Sequence, residues 1–143
     1  MSKNKNITEK IRLLCKSVGP AKQTMTVARK DIDALNQKLS QATTERMKTM
    51  LQGAIEKREC EIEKAESIVY SFMNIVDGLE REERNVMMQI YLRRRKRRDV
   101  EALDGVPMSM QEVDTIRKRA LRHMLVNSKT EAQLMEIDMS ENV

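Results

Sequence analysis

Apolar residues recur along the chain at steps of three and four, with polar and charged residues between them, the pattern of helices that bury one face. Ile7, Ile11, Leu14 and Val18 keep this spacing and predict a short amphipathic helix over about 8–17. Gly19-Pro20 follows as its stop, because Gly suits a helix terminus and Pro lacks the N–H that continuation needs. A second helix is predicted over about 21–41, with Met25, Ala28, Ile32, Leu35 and Leu39 in one stripe. Small polar residues at 40–44 mark a reversal. The third and longest helix then spans 45–77, carrying Met47, Leu51, Ala54, Ile62, Ala65, Val69, Phe72 and Val76 on one side, with Arg58 interrupting them. At about 1.5 Å per residue it would be about 50 Å long. A short connection between two amphipathic helices favours an antiparallel, coiled-coil-like hairpin. Such a hairpin buries one stripe per helix, so it is expected to pack on the first helix, on the C-terminal unit or on a second copy of itself.

Gly78 breaks this run. A helix over 80–92 would present Val86, Met87, Ile90 and Tyr91, and the run Arg93-Arg94-Arg95-Lys96-Arg97-Arg98 follows it. A short helix is expected at 99–104 with Val100 and Leu103 facing inward, stopped by Gly105-Val106-Pro107. Ser109 stands three residues before Glu112, the spacing of a capping box. It opens a last helix over 110–126 that buries Val113, Ile116, Ala120, Leu121 and Met124. The remainder is acidic and weakly patterned, with room for a frayed turn or two near Ser128. The expected architecture is all-α: a helical hairpin in 1–78, a helix-turn-helix in 79–126 and an acidic tail in 127–143.

With one Phe, two Tyr and no Trp, the core must be built from aliphatic residues and some of the twelve Met. Basic charge is unevenly placed: nine Lys/Arg against three Asp/Glu in 1–40, twelve against eight in 79–125 and one against four in 126–143. A polyanionic partner fits this distribution. Cys15 and Cys60 are far apart and have no His or Cys at ligand spacing, so reduced thiols are expected, Cys15 buried on the first helix. No stretch approaches the roughly 18–20 apolar residues of a membrane span, and no apolar signal segment follows the basic N-terminus. A cytoplasmic protein is expected. There is no Gly-rich phosphate loop, His-containing dyad or metal-ligand cluster, so the expectation is a non-enzyme without cofactor or metal. The lone His123 reads as a surface residue near a negative helix end, and the Glu-rich side of the third helix as a solvated face.

Helix, basic run, short helix, turn and capped helix are in the order of a helix-turn-helix, whose second helix enters the major groove. The string from Val113 to Met124, VDTIRKRALRHM, resembles the recognition helix of sigma factor region four. Leu79-Glu80-Arg81-Glu82-Glu83-Arg84-Asn85-Val86 is similar to the helix that begins such units. With the helical hairpin in front, the layout resembles the phage late-transcription activators of the RinA/ArpU type. Two departures stand out: DVEALDGVPMS leads into the last helix with two extra turn residues, and RRRKRR replaces a Gly-containing loop. The resemblance implies binding of double-stranded DNA in a bacterial host cell. Base edges would be read by Met110, Gln111, Asp114 and Thr115, with Lys118 one turn on. Phosphates would be met by Arg93, Arg94, Arg95, Lys96, Arg97, Arg98, Arg117 and Arg122. The hairpin would serve dimerisation or contact with RNA polymerase. The alternatives are a helical adaptor that binds polymerase or another regulator without reading DNA, and a small terminase-like DNA-binding subunit.

Overall fold

A computed structural model describes residues 2–127, with side chains from residue 7 onward. The described chain is all-helical apart from loops and one isolated bridge. Two long helices, α1 (Ser2–Gln41) and α2 (Glu45–Asp77), form the hairpin, and two shorter ones follow, α3 (Arg81–Met87) and α4 (Met110–Val126). The acidic tail expected at 127–143 lies, beyond Asn127, outside the described residues.

The expected break at Gly19-Pro20 does not occur, and α1 runs through Pro20 as one helix. Proline inside a helix forfeits one backbone bond, here to the Lys16 carbonyl, and costs about 3 kcal/mol. Leu14, Cys15, Val18 and Ala21 are all buried across that point, and each buried aliphatic side chain contributes about 1.5–3 kcal/mol. Lys16 and Pro20 lie on the exposed side, where water can take the freed carbonyl. Burial of the continuous stripe therefore outweighs the local stop.

α2 has the predicted bounds. Thr44 caps it, its hydroxyl accepting from the Met47 amide at 3.2 Å. Arg58, the interruption in its stripe, reaches Asp31 of α1 at 3.4 Å and Glu61 at 3.0 Å. Burial is concentrated toward the open end of the hairpin; nearer the tip Ile32, Leu35, Leu39 and Leu51 are half-buried. Met47, expected on the inner stripe, is 53 % exposed.

The helix predicted over 80–92 is α3 followed by one π turn, Met88–Leu92, in which the Arg93 amide donates to the Met88 carbonyl at 3.0 Å. The short helix expected at 99–104 is absent. A 3-10 turn, Arg97–Asp99, is followed by a small hairpin over 100–108. Its rungs are Ala102 N–H to the Val106 carbonyl at 2.8 Å and Met108 N–H to the Val100 carbonyl at 3.0 Å. Asp104 accepts from the Val106 amide and Gly105 takes φ 83°, which is why the chain turns here and does not coil. Val100 points inward as expected, but Leu103, at the turn, is 59 % exposed.

One large core joins Leu14 and Val18 of α1, Phe72, Ile75 and Val76 of α2, Leu79, Met87, and Ala120 and Met124 of α4. It crosses Gly78 without interruption. A smaller cluster holds Val86, Val100, Met108, Val113 and Ile116.

Candidate nucleic-acid interface

α4 is capped at Ser109, whose hydroxyl accepts from the Glu112 amide at 3.1 Å. Apolar spacing turns Val113, Ile116, Ala120 and Met124 inward, with Leu121 half-buried beside them. The opposite side leaves Met110, Gln111, Thr115, Lys118 and Arg122 exposed along one helix. The Thr115 hydroxyl donates back to the Gln111 carbonyl at 2.9 Å, so its lone pairs face outward as acceptors. Glu82 and Glu112 border Gln111 and Thr115 in a shallow depression, which places negative charge at one edge of this face.

The basic run 93–98 is exposed throughout and is anchored at three points. Arg97 donates to both Asp114 oxygens at 2.9 Å, and Arg117 stands 3.6 Å from the same carboxylate. The Arg97 hydrogen bond, aided by neighbouring positive charge and opposed by desolvation, holds the Asp114 carboxyl below its ordinary range. Asp114 thus ties the basic loop to α4. Arg95 donates to the Gln89 side-chain oxygen at 3.1 Å. Arg94, at φ 57°, lies over Gly19 of α1, where a Cβ would sit 2.8 Å from its Cδ. Gly19 is therefore not a helix stop but the space in which an arginine of the loop rests.

The seven arginines and one lysine named for phosphate contact fall into two groups. Arg94, Arg95, Arg97 and Arg117 are engaged within the protein. Arg93, Lys96, Arg98 and Arg122, with Lys118 from the base-reading set, are exposed and form no ion pair among the described residues. Arg117 is half-buried, donates to the Tyr91 hydroxyl at 3.4 Å, and has a buried Nε without a partner among the described residues. It faces Cys15, whose thiol burial pushes up to about 12 against the opposing influence of the Arg117 charge.

Two buried polar residues that support this surface were not anticipated. Gln89 is 3 % exposed and pairs with Glu101 as a strand would: its Oε1 accepts from the Glu101 amide at 3.0 Å and its Nε2 donates to the Glu101 carbonyl at 2.7 Å. Glu83 is fully buried and accepts from Arg119 at 3.0 Å, His123 at 2.7 Å and the Glu80 amide at 3.1 Å. Burial pushes its carboxyl upward, but the bonds from His123, the Glu80 backbone and Arg119 together bring it below its usual value. His123, expected simply at the surface, is thus about half-exposed and bonded to a buried carboxylate. The Glu80-x-x-Glu83 spacing forms a true capping box and was the available signal.

Among the described residues no three His, Cys, Asp or Glu side chains converge as a metal-ligand set, and no helix is long and apolar enough to cross a membrane. No family model, curated protein or solved structure matches the chain.

Proposed function

We propose that the chain is a sequence-specific DNA-binding regulator of transcription, with α4 as the helix laid in the major groove. The observation that carries this reading is the single exposed face of Gln111, Thr115, Lys118 and Arg122, flanked by an arginine-rich loop that the Arg97–Asp114 pair fixes to the same helix. Gln111 suits adenine and Thr115 a thymine methyl; Asp114 acts by positioning Arg97. The 100–108 hairpin takes the place of the first helix of a helix-turn-helix and supports α4 through Val100 and Met108. Phosphates fall to Arg93, Lys96, Arg98, Lys118 and Arg122. The phage-activator role and contact with polymerase or a second copy through the α1–α2 hairpin belong to the same proposal.

The test is selection of bound sequences from a random duplex pool by the full chain at moderate salt. Five phosphate contacts give a slope of log affinity against log salt of about −4.5. Gln111→Ala with Thr115→Ala removes the sequence preference and leaves salt-sensitive weak binding; preference that survives removes these residues from the reading surface. Alanine at Arg93, Lys96 and Arg98 weakens all duplexes alike and flattens the slope.

A second reading, a protein-binding adaptor, is favoured by the large apolar side chains that α2 leaves exposed, Met47 and Met50 near the tip of the hairpin and Tyr70 and Met73 near its open end. No duplex binding by the full chain at low salt, together with capture of RNA polymerase, decides for it.

A further inference from the structure

A groove of about 380 Å³ lies between the first turns of α1 and the last turns of α4. Its floor is apolar: Ile11 is buried, while Leu121 and Leu125 are only half-covered. Its rim is cationic, with Arg12 on one side and Lys118 and Arg122 on the other. None of these three cations forms an ion pair among the described residues. An apolar floor inside a positive rim fits an acidic segment with apolar side chains interspersed.

The chain supplies such a segment. Residues 128–143 carry Glu131, Glu136, Asp138 and Glu141 against the single Lys129, and between these stand Leu134, Met135, Ile137 and Met139. They follow α4 directly, one residue after Asn127 and three after Leu125, which lines the groove. The groove spans about 10 Å of α4 from Lys118 to Leu125, at 1.5 Å per residue, so sixteen residues are ample to cover it. Tethering at this distance gives an effective concentration on the order of millimolar, enough for a weak contact to be occupied.

We propose that residues 128–143 dock in the α1–α4 groove, carboxylates toward Arg12, Lys118 and Arg122 and apolar side chains over Leu121 and Leu125. The docked segment covers two of the five cations assigned to DNA, so it restrains DNA binding until a duplex displaces it. This last consequence rests on the proposed function; the docking itself does not.

The experiment separates the two. Amide hydrogen exchange is followed in the full chain at low salt, without DNA, for three proteins: wild type, a rim variant with Arg12→Glu, and a segment variant with Leu134→Ser and Ile137→Ser. The exchange of 128–143 is expected to be about tenfold slower in wild type than in either variant. Equal exchange in all three overturns the docking, as does protection that survives both variants. Binding to a random-sequence duplex is then compared between wild type and the segment variant, which have the same net charge. The variant is expected to bind about tenfold more tightly. If the segment is protected but neither protein binds duplex, the docking stands and the DNA reading fails; if both bind equally, the restraint is refuted.

Discussion

Gln89 is the sharpest place to test the architecture, because one buried amide holds the small hairpin that stands where a helix was expected. It bonds the Glu101 amide and carbonyl, the Asn85 side chain at 2.9 Å and Arg95 at 3.1 Å. Besides its carboxamide, Gln89→Ala removes one buried methylene, about 0.8 kcal/mol. It also removes four hydrogen bonds worth about 1 kcal/mol apiece, discounted because water reaches the exposed Glu101. A loss of about 3 kcal/mol is expected, a large part of an ordinary domain's roughly 5–15. Gln89→Leu keeps the volume and isolates the polar share, about 2 kcal/mol. Gln89→Glu keeps the acceptor but sets a carboxylate oxygen against the Glu101 carbonyl. The variant is expected to be weakened at neutral pH and to recover as acid protonates that oxygen. Urea unfolding followed by circular dichroism gives the free energies, and hydrogen exchange at Glu101, Ala102 and Met108 shows whether the hairpin has come loose. If Gln89→Leu stays within 0.5 kcal/mol of wild type and exchange at those amides is unchanged, the amide does not hold the hairpin and the reasoning fails.

Three further outcomes are expected. The Glu83 carboxyl is lowered in the folded state, so its contribution is present above the ordinary carboxylate value of about 4.3 and is lost as pH falls through the folded value. The stability gap between wild type and Glu83→Gln should therefore be full at pH 7 and shrink in acid; a gap that widens in acid reverses the assignment. Pro20→Ala restores a donor for the Lys16 carbonyl in an already continuous helix and should stabilise by about 1–3 kcal/mol, read as a higher Tm. A Tm that falls would mean the ring itself packs. Gly19→Ala should destabilise wild type, since Arg94 must leave its place, yet stabilise an Arg94→Gly background by about 0.5–1 kcal/mol. Additive effects in that double-mutant cycle would show that the two positions do not touch.

What was legible in the sequence was whatever one helix face could announce by itself. The bounds of α2 and α4, the cap at Ser109, the inward set of α4 and the burial of Cys15 all follow from three- and four-residue spacing. What was not legible depended on a partner elsewhere in the chain. Gly19-Pro20 reads locally as a stop, and only the core on the far side of α1 shows why the helix continues. The spacing of Val100 and Leu103 suggests a helix over 99–104, although Asp104-Gly105 is a hairpin signal and Val106-Pro107 resists coiling. Of the candidate contacts, exposure of Met110, Gln111, Thr115 and Lys118 was readable from periodicity. The pairing of Asp114 with Arg97, seventeen residues away, was not.

The inner face of α4 is divided between two cores, and this bears on how the interface can be studied at all. Val113 and Ile116, near its start, pack in the small cluster with the 100–108 hairpin. Ala120 and Met124, near its end, pack in the large core with α1 and α2. The helix is therefore held at one end by the 100–108 hairpin and Val86 of α3, and at the other by the long helical hairpin. A fragment starting at residue 79 would lose the partners of Met87, Ala120 and Met124 together, exposing side chains that are now fully covered. Leu14, Val18, Phe72 and Ile75 would be left uncovered in the complementary piece. The attitude of the Gln111–Thr115 face is thus set by contacts on both sides of Gly78. Substitutions in the hairpin core, such as Phe72→Ala, are expected to weaken whatever α4 binds without touching its outer surface. Stability measured alongside binding in the full chain separates that indirect loss from the loss of a contact.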